Sequence, residues 1–176
     1  MKETIVFATG NEGKMREVRM ILADLGMEIL SMKEAGVHAD IVEDGETFAQ
    51  NAEIKAKAVW ARTGGIVLAD DSGLAVDYLG GEPGVYSARY MGEDTSYDIK
   101  NQAIIDRLKG AKGKERSARF VCDIAAVLPD GTVIHTEGFM EGQIAEKPAG
   151  TEGFGYDPIL YIPELGVTSA ELTLEQ

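Results

Sequence analysis

The sequence predicts an α/β protein with a mixed β-sheet. Short, β-branched apolar segments alternate with amphipathic helical segments along the first part of the 176-residue chain, and this alternation is typical of strands joined by helices. Two longer strand-like segments, 120–128 and 132–144, flank a Pro-Asp-Gly sequence, which indicates an antiparallel hairpin. A βαβ-type beginning and an antiparallel hairpin together predict a mixed sheet.

The N-terminal residues predict a strand, a glycine-containing loop, a helix and a second strand. Residues 4–8 and 28–32 have the apolar, β-branched character of strands. Between them, apolar residues recur at spacings of three and four, which predicts a helix that Gly26 ends. The predicted apolar stripe consists of Met15, Val18, Ile21, Leu22 and Leu25.

A second helix and a buried strand are predicted in the middle of the chain. Residues 33–46 are polar and acidic, which favours a loop. Thr47 and Gln50 have the spacing of a capping box, so a helix is expected from residue 48 to about residue 62. Its apolar stripe consists of Phe48, Ala52, Ala56 and Val59. Residues 66–69 then have the length and composition of a buried strand.

The second half of the chain is predicted to contain one more helix and a short strand besides the hairpin. Residues 79–90 hold too much glycine and proline to be regular throughout. Residues 96–108 predict a helix whose apolar side carries Ile99, Ala103 and Ile104. A short strand is expected at 159–162, and residues 168–176 have the pattern of a beginning helix.

Composition and charge narrow the function classes. The net charge is −13, which argues against long nucleic acids as partners because these require a basic surface. A single nucleotide remains compatible, since its phosphates need only a local cluster of donors. No apolar stretch approaches the roughly 20 residues of a membrane span, and the N-terminus leads directly into a predicted strand. We therefore expect a cytoplasmic protein that does not bind membranes.

Two adjacent carboxylates, Asp70 and Asp71, follow the predicted buried strand. Ligands of open α/β sheets bind beyond the carboxyl ends of strands, and Mg²⁺ takes oxygen ligands, usually one or two from protein carboxylates. Successive side chains of an extended chain point to opposite sides, so one aspartate is expected to face a ligand while the other braces the turn. A plain strand-ending turn explains the same residues equally well.

The loop at residues 8–14, Ala-Thr-Gly-Asn-Glu-Gly-Lys, lies between the first strand and the first helix. Backbone N–H groups at a helix N-terminus bind anions, glycine lets the backbone approach closely, and Lys14 adds a positive charge. The loop is not a P-loop, because Ala8 replaces the first glycine and Met15 replaces the Ser or Thr. It predicts a phosphate cradle, with an ordinary strand-to-helix turn as the alternative.

An acidic cluster and a polar helix face lie near the second helix. Glu43, Asp44 and Glu46 precede it. Carboxylates near a helix N-terminus stabilise it by about 0.3–1 kcal/mol each, which accounts for Glu46 better than for Glu43. Asn51 and Lys55 are four residues apart and share one face. That face is either part of a site or an ordinary solvated surface.

The sequence Gly-Phe-Gly-Tyr-Asp at residues 153–157 places two aromatic residues and an acid in a glycine-rich loop. Aromatic side chains stack on nucleobases, a contact worth roughly 1–3 kcal/mol, although they also pack loops onto protein cores. His38 and His135 are isolated in the sequence, so neither a histidine metal site nor a Ser-His-Asp triad is supported.

Together these segments resemble the inosine/xanthosine triphosphate pyrophosphatases (dITP/XTP diphosphatases), which act on deaminated purine nucleotides. The matching segments occur in one order over nearly the whole chain. They are TIVFATGNEGK, then Glu43, Gly45, Thr47, Phe48, Asn51, Ala52 and Lys55, then LADDSGLAVDYLGGEPGVYSARYMG, KPAGTEGFGYDPIL and AELT. The central and late segments are long and specific.

The resemblance implies a fold and a set of roles. The fold would be an elongated α/β structure with a mixed sheet in two lobes and a substrate cleft between them, usually as a homodimer. Glu43 and Asp71 would hold Mg²⁺ beside Asp70, Asp71 would orient or deprotonate the attacking water, and Lys55 would neutralise phosphate charge. The substrate-binding residues would be Thr9, Gly10, Asn11, Glu12, Gly13 and Lys14 at the phosphates, Ser72, and Phe154, Gly155, Tyr156 and Asp157 at the base.

The implied reaction converts ITP, dITP or XTP to the monophosphate and pyrophosphate. Relatives carry a lysine and a Ser-His-Arg segment after AELT that has no counterpart before Gln176, and neither His38 nor His135 can supply it. We therefore expect a truncated sequence, with a protein that lacks part of its substrate clamp as the alternative, and we expect the chain to bind substrate weakly or to turn it over poorly. Two other hypotheses are a nucleotide-binding or dimeric scaffold module without catalysis, and a pyrophosphatase of related fold for modified pyrimidines.

Overall fold

The computed structural model describes residues 3–176, which contain seven strands and three helices. The strands are β1 (Thr4–Phe7), β2 (Glu28–Ser31), β3 (Ile66–Val76), β4 (Ser117–Val127), β5 (Val133–Ile144), β6 (Leu160–Ile162) and β7 (Val167–Thr168). The helices are α1 (Glu12–Ile21), α2 (Phe48–Thr63) and α3 (Tyr97–Arg107). None of the helices in this described part is long and apolar enough to cross a membrane.

The strands form a mixed sheet in the order β2-β1-β3-β4-β5-β6-β7. Strand β1 pairs in parallel with β2 and β3, whereas β6 pairs antiparallel with β5 and β7. The predicted α/β class with a mixed sheet is therefore confirmed. The chain divides into two compact units, the first comprising residues up to Asp71 together with Cys122–Gly138, the second comprising Ser72–Val121 and Phe139–Gln176.

The core of the first unit lies on both faces of its strands. Alternate side chains of β1 and β3 pack on one face with α1, and those between them pack on the other face with α2. The α1 side contains Ile5, Phe7, Met15, Ile29, Ile66 and Leu68. The α2 side contains Val6, Ala8, Ala52, Ala56, Val59, Val67 and Ala69. Because the side chains of β3 alternate in this way, Asp70 lies on the α1 side of the sheet and Asp71 on the α2 side.

Strand β3 continues further than the sequence predicts. A strand end after Ala69 and a turn at the two aspartates are both wrong, because β3 is extended through Asp70 and Asp71 to Val76. The pairing partner β1 ends at Phe7, and the last backbone bond between them runs from the Ala8 N–H to the Leu68 carbonyl. The two aspartates therefore lie on an extended strand just beyond the end of its neighbour.

Two predicted apolar stripes need correction. In α1, Met15 is buried, but Ile21 and Leu25 are exposed. Ile21 lies at the edge of the stripe, and Leu25 belongs to a tighter 3₁₀ turn at Ala23–Leu25 that rotates its side chain away. In α3, Ile99 is also exposed. Ile104 is buried as predicted, and the buried face of α3 also carries Lys100, Asn101 and Ile105, followed by Leu108 directly after the helix.

Most turn and cap predictions are confirmed. The Thr47 hydroxyl accepts the Gln50 N–H at 3.1 Å and caps α2, although the Gln50 side chain accepts the N–H of Glu46 rather than that of Thr47. The hairpin turn lies between β4 and β5 as predicted. The predicted helix at residues 168–176 is wrong, since this segment continues β7 into a 3₁₀ turn at Ser169–Glu171.

Candidate active site

Asp71 is the centre of a polar cluster on the α2 side of β3. Helix α2 places Asn51, which is buried, against it, and the Asn51 amide hydrogen-bonds to the Asp71 carboxylate. The Asn51 carbonyl oxygen accepts the Gly45 N–H at 2.8 Å. A side chain at residue 45 would place its Cβ 2.7 Å from that oxygen, so the close approach requires glycine. Asn51 thus joins Asp71 to the loop that carries Glu43.

Glu43 and Lys55 form an ion pair in the same cluster. Lys55 Nζ lies 3.0 Å from Glu43 Oε1, and only 16% of the lysine side chain is exposed. The interpretation of Lys55 as an ordinary solvated surface residue is therefore wrong. One turn of α2 separates Lys55 from Asn51, so one helical face presents a cation and an amide to two carboxylates.

On the other side of β3, Asp70 pairs with Lys14 in the first turn of α1. Lys14 Nζ donates to Asp70 Oδ2 at 2.8 Å. The Asn11 side chain accepts the Lys14 N–H and caps α1, and the Thr9 hydroxyl accepts the Asn11 N–H. The loop predicted to bind phosphate therefore has a fixed conformation, with Gly10 before the cap and Glu12 and Gly13 in the first helical turn. Lys14 ties this loop to the strand that carries Asp71.

The environment of Asp71 disfavours its charged form. Burial, as the largest cause, raises the pKa of Asp71 to about 6, while Lys55 and Asn51 lower it and the charges of Glu43 and Asp70 raise it. The Asp71 Oδ2 atom is buried and has no hydrogen-bond partner among the described residues. Such a carboxylate can take up a proton or a cation, which makes Asp71 a candidate for the reactive group of the site.

The predicted metal ligands Glu43 and Asp71 lie in one cluster, but a complete protein cage is absent. Among residues 3–176, no group of three or more His, Cys, Asp or Glu side chains is arranged to hold a metal ion. Mg²⁺ commonly uses one or two carboxylates and takes its other ligands from water and substrate phosphates. The two carboxylates therefore suit an open site better than a closed structural one.

The second unit contains the predicted base-binding loop. The Phe154 side chain is 39% exposed, whereas Tyr156 is buried. Both Asp157 carboxylate oxygens are engaged, one by the Phe154 N–H at 2.8 Å and the other by the Ser169 hydroxyl at 2.7 Å. Phe154 is thus presented on the surface by a loop that Asp157 braces. Ser72, the first residue of this unit, lies half-buried on β3 directly after Asp71.

Sequence reasoning missed two supports of the site. Ser169 braces Asp157 from 12 residues further along the chain, and no local pattern points to it. Asn101 is buried and donates to the Gly155 carbonyl. In the sequence it lies among polar residues of a predicted helix, where a solvent-exposed side chain is the ordinary expectation. Asn51 was recognisable from its spacing to Lys55, and the structure adds its role of joining Asp71 to the Gly45 backbone.

Comparison with known proteins places these features in one family. The Ham1 family model matches residues 5–176. A dITP/XTP pyrophosphatase of Bacillus licheniformis is 48% identical over 174 residues, covering 98% of this chain and 88% of the relative. The same-named protein of Bacillus subtilis is 45% identical and covers 100% and 88%. A solved HAM1 protein structure from Coxiella burnetii has a TM-score of 0.87 at 40% identity, covering 97% and 87%.

The fold and the site define a hydrolase of nucleoside triphosphates. The chain belongs to the Ham1 family. The earlier resemblance is therefore confirmed.

Proposed function

We propose that this protein is a Mg²⁺-dependent pyrophosphohydrolase that converts ITP, dITP or XTP to the nucleoside monophosphate and pyrophosphate. Its role would be to remove deaminated purines from the nucleotide pool. The observation that carries the proposal is the Asp71 cluster, in which a half-buried carboxylate with a raised pKa lies against Asn51, Lys55 and Glu43. Relatives at 48% and 45% identity are named dITP/XTP pyrophosphatases, which supports the proposal.

The donor set of the cluster fits a magnesium ion. Glu43 and Asp71 supply hard oxygen ligands, and the buried Asp71 Oδ2 lacks a hydrogen-bond donor. Burial is the largest cause of the raised Asp71 pKa, and the charges of Glu43 and Asp70 add to it, so a cation there would stabilise the carboxylate against all of them. When bound, Mg²⁺ would supply charge neutralisation across the phosphates.

Residues of this chain can perform the remaining steps. Asp71 would hold the attacking water and accept its proton while the bond between the α- and β-phosphates breaks and pyrophosphate leaves. Lys55 would neutralise phosphate charge, which matters because the protein carries a net charge of −13 and repels nucleotides at a distance.

The fixed loop before α1 supports phosphate binding at a second point. Thr9, Asn11 and Lys14 are already ordered by hydrogen bonds within the loop and to Asp70, so little conformational entropy is lost on binding. Backbone N–H groups at the start of α1 would face the anion. Ser72 would contact the substrate next to the reacting phosphates.

Base recognition would fall to residues 153–157. Phe154 offers an exposed ring for stacking. Backbone N–H groups next to the glycines can donate a hydrogen bond to the 6-oxo group of hypoxanthine or xanthine. Adenine would leave such a donor unpaired, and sites of this kind discriminate strongly. Tyr156 and Asp157 would act through the shape of the loop, since the Tyr156 hydroxyl donates to the Ser87 carbonyl and the Asp157 carboxylate accepts the Phe154 N–H.

The test is a product assay with ITP, XTP, GTP and ATP in parallel, with and without Mg²⁺. We expect pyrophosphate and monophosphate from ITP and XTP, little from ATP and GTP, and loss of turnover with EDTA. Orthophosphate as the only direct product would overturn the proposal. Stabilisation of the protein by ITP without turnover would favour a nucleotide-binding module instead.

We also propose that the protein is a homodimer and acts in the cytoplasm. Exposed apolar side chains on β5, Phe139 and Met140, support a protein contact, and the proposed substrates belong to the dissolved nucleotide pool. Light scattering after size exclusion over a range of concentrations tests the dimer, and a constant monomer mass would contradict it. Cell fractionation tests the compartment.

A further inference from the structure

Helix α3 carries two adjacent polar side chains on its buried face. Lys100 is 1% exposed and Asn101 is 2% exposed. Polar groups are costly to bury unless each is matched by a hydrogen-bond partner. The partners of these two residues are backbone carbonyls in two separate loops, which indicates that the helix organises loops rather than only filling a core.

Asn101 holds Gly155, the central residue of segment 153–157, which we call the Phe154 loop. Its Nδ2 donates to the Gly155 carbonyl at 3.2 Å. Gly155 has φ of 64°, a conformation that residues with a side chain rarely adopt. A Cβ at this position would lie 3.6 Å from the Tyr97 ring, so the backbone passes close to α3. The bond therefore holds the peptide between Gly155 and Tyr156, one residue beyond the exposed Phe154.

Helix α3 also holds a second loop, through Lys100. Lys100 Nζ donates to the Ala88 carbonyl at 2.8 Å and lies 4.7 Å from the centre of the Tyr97 ring. The Tyr156 hydroxyl donates to the Ser87 carbonyl at 2.5 Å, and its ring packs edge-on against Tyr97 at 5.2 Å. Tyr156 thus connects the Phe154 loop to the segment that Lys100 holds.

Only one end of the Asn101 side chain forms a hydrogen bond that the structure shows, namely the Nδ2 donor to Gly155. Its Oδ1 atom is buried without a hydrogen-bond partner among the described residues. A leucine of similar shape would avoid that unmatched acceptor, so stability alone does not favour asparagine here. The donor to Gly155 is the interaction that asparagine adds.

We propose that Asn101 is a positioning residue for base recognition. By holding the Gly155 carbonyl it sets the turn that presents Phe154 and the adjacent backbone to the purine. The inference rests on the proposed function, because it assigns the base to this loop. It predicts that loss of the amide weakens binding of the base while the phosphate end of the substrate is bound as before.

The test compares Asn101→Leu with the matched control Gln102→Leu, the exposed neighbour on the same helix. Inosine monophosphate, which contains no bond for the enzyme to cleave, is titrated into each variant by calorimetry. Inorganic triphosphate is titrated in parallel as a probe without a base. We expect inosine monophosphate to bind about tenfold more weakly to Asn101→Leu, as for loss of one well-placed hydrogen bond. Binding of inorganic triphosphate should remain unchanged.

Kinetics add a second readout. With ITP we expect Asn101→Leu to raise KM with little change in kcat, and to reduce the preference for ITP over ATP by about tenfold. If Asn101→Leu does not fold, Tyr156→Phe is the second variant. It removes the hydroxyl that connects the Phe154 loop to Ser87 and keeps the ring packed on Tyr97, and it should also raise KM.

Equal weakening of inosine monophosphate and inorganic triphosphate would overturn the inference, as would unchanged monophosphate binding together with a lower melting temperature. Failure of the proposed function gives a different result. The wild-type protein would then release no pyrophosphate from ITP, whereas the comparison of binding between the variants would still decide the role of Asn101.

Discussion

Helices α2 and α3 each bury an asparagine and a largely enclosed lysine, yet they use them differently. On α2, Asn51 and Lys55 face carboxylates, and one of these, Asp71, keeps a buried oxygen without a hydrogen-bond donor. On α3, Lys100 and Asn101 donate to the backbone carbonyls of Ala88 and Gly155. Amides and ammonium groups that face carboxylates set the electrostatics of the candidate site, whereas those that face carbonyls fix backbone shape. Chemistry is therefore expected to depend on α2 and recognition on α3.

The largest expected effect is that of Asp71→Asn. The amide cannot accept the proton of the attacking water, so kcat for pyrophosphate release should fall by about 10²–10⁴-fold. Folding should be retained, because the change removes a carboxylate whose burial disfavours its charge. Measurement of kcat with ITP and of the melting temperature checks this. The exposed Asp24→Asn serves as the control, and comparable activity of the two variants would contradict the role of Asp71.

Lys55→Met tests the charge contributed by α2. Loss of the ammonium leaves Glu43 without its partner and removes a cation from the proposed phosphate site, so kcat/KM for ITP should fall by about 10²-fold. Lys57→Met is the matched control, because Lys57 lies on the same helix and pairs with Glu53 at the surface. The interpretation fails if both variants lose the same activity.

Ser169→Ala tests the loop side of the comparison. Its hydroxyl donates to the Asp157 carboxylate at 2.7 Å and to the Asp157 carbonyl at 3.0 Å, so its loss should lower the free energy of unfolding by about 1 kcal/mol. KM for ITP should rise while kcat is nearly unchanged. Thr151→Ala, at an exposed position of the same loop, is the control. A fall in kcat without a change in KM would contradict the assignment of this loop to substrate recognition rather than to chemistry.

The smallest effect concerns acid stability in the second unit. The hydrogen bond from Arg119, followed by that from Ser117, lowers the pKa of Asp77 below its usual value of 3.8. This stabilisation is present above the unfolded-state pKa and is lost as pH falls through the lower folded-state pKa. Asp77→Asn should therefore be less stable than the wild type at pH 7, by less than about 1 kcal/mol because the pair is exposed. The difference in unfolding free energy between the wild type and Asp77→Asn should be smaller at pH 3 than at pH 7, and a difference that does not change with pH would contradict this assignment.

Local patterns predicted the elements where one physical rule dominates. The Thr47 cap and the turn between β4 and β5 follow from short-range chemistry, and both are confirmed. The prediction for β3 failed because Asp, Ser and Gly favour turns locally, whereas pairing within the sheet keeps the strand extended to Val76. A sequence window does not contain the neighbouring strand.

The candidate site divides along the same line. The sequence motifs identified Glu43, Lys55, Asp70 and Asp71, because charged residues at these spacings resemble the family. They did not predict that Lys14 is paired with Asp70 across 56 residues, or that Asp71 Oδ2 is buried without a donor. Those facts depend on how β1 and β3 align in the sheet.

By itself the sequence determined the α/β class, the helix caps, the hairpin and the family, because these depend on period, turn chemistry and motif order. The tertiary structure alone decided which face of α3 is buried. Periodicity placed Ile99 inside and left Lys100 and Asn101 on no apolar stripe, whereas the protein exposes Ile99 and buries the two polar residues. The physical reason is that backbone carbonyls from distant loops accept hydrogen bonds from Lys100 Nζ and Asn101 Nδ2, and no local pattern encodes those partners.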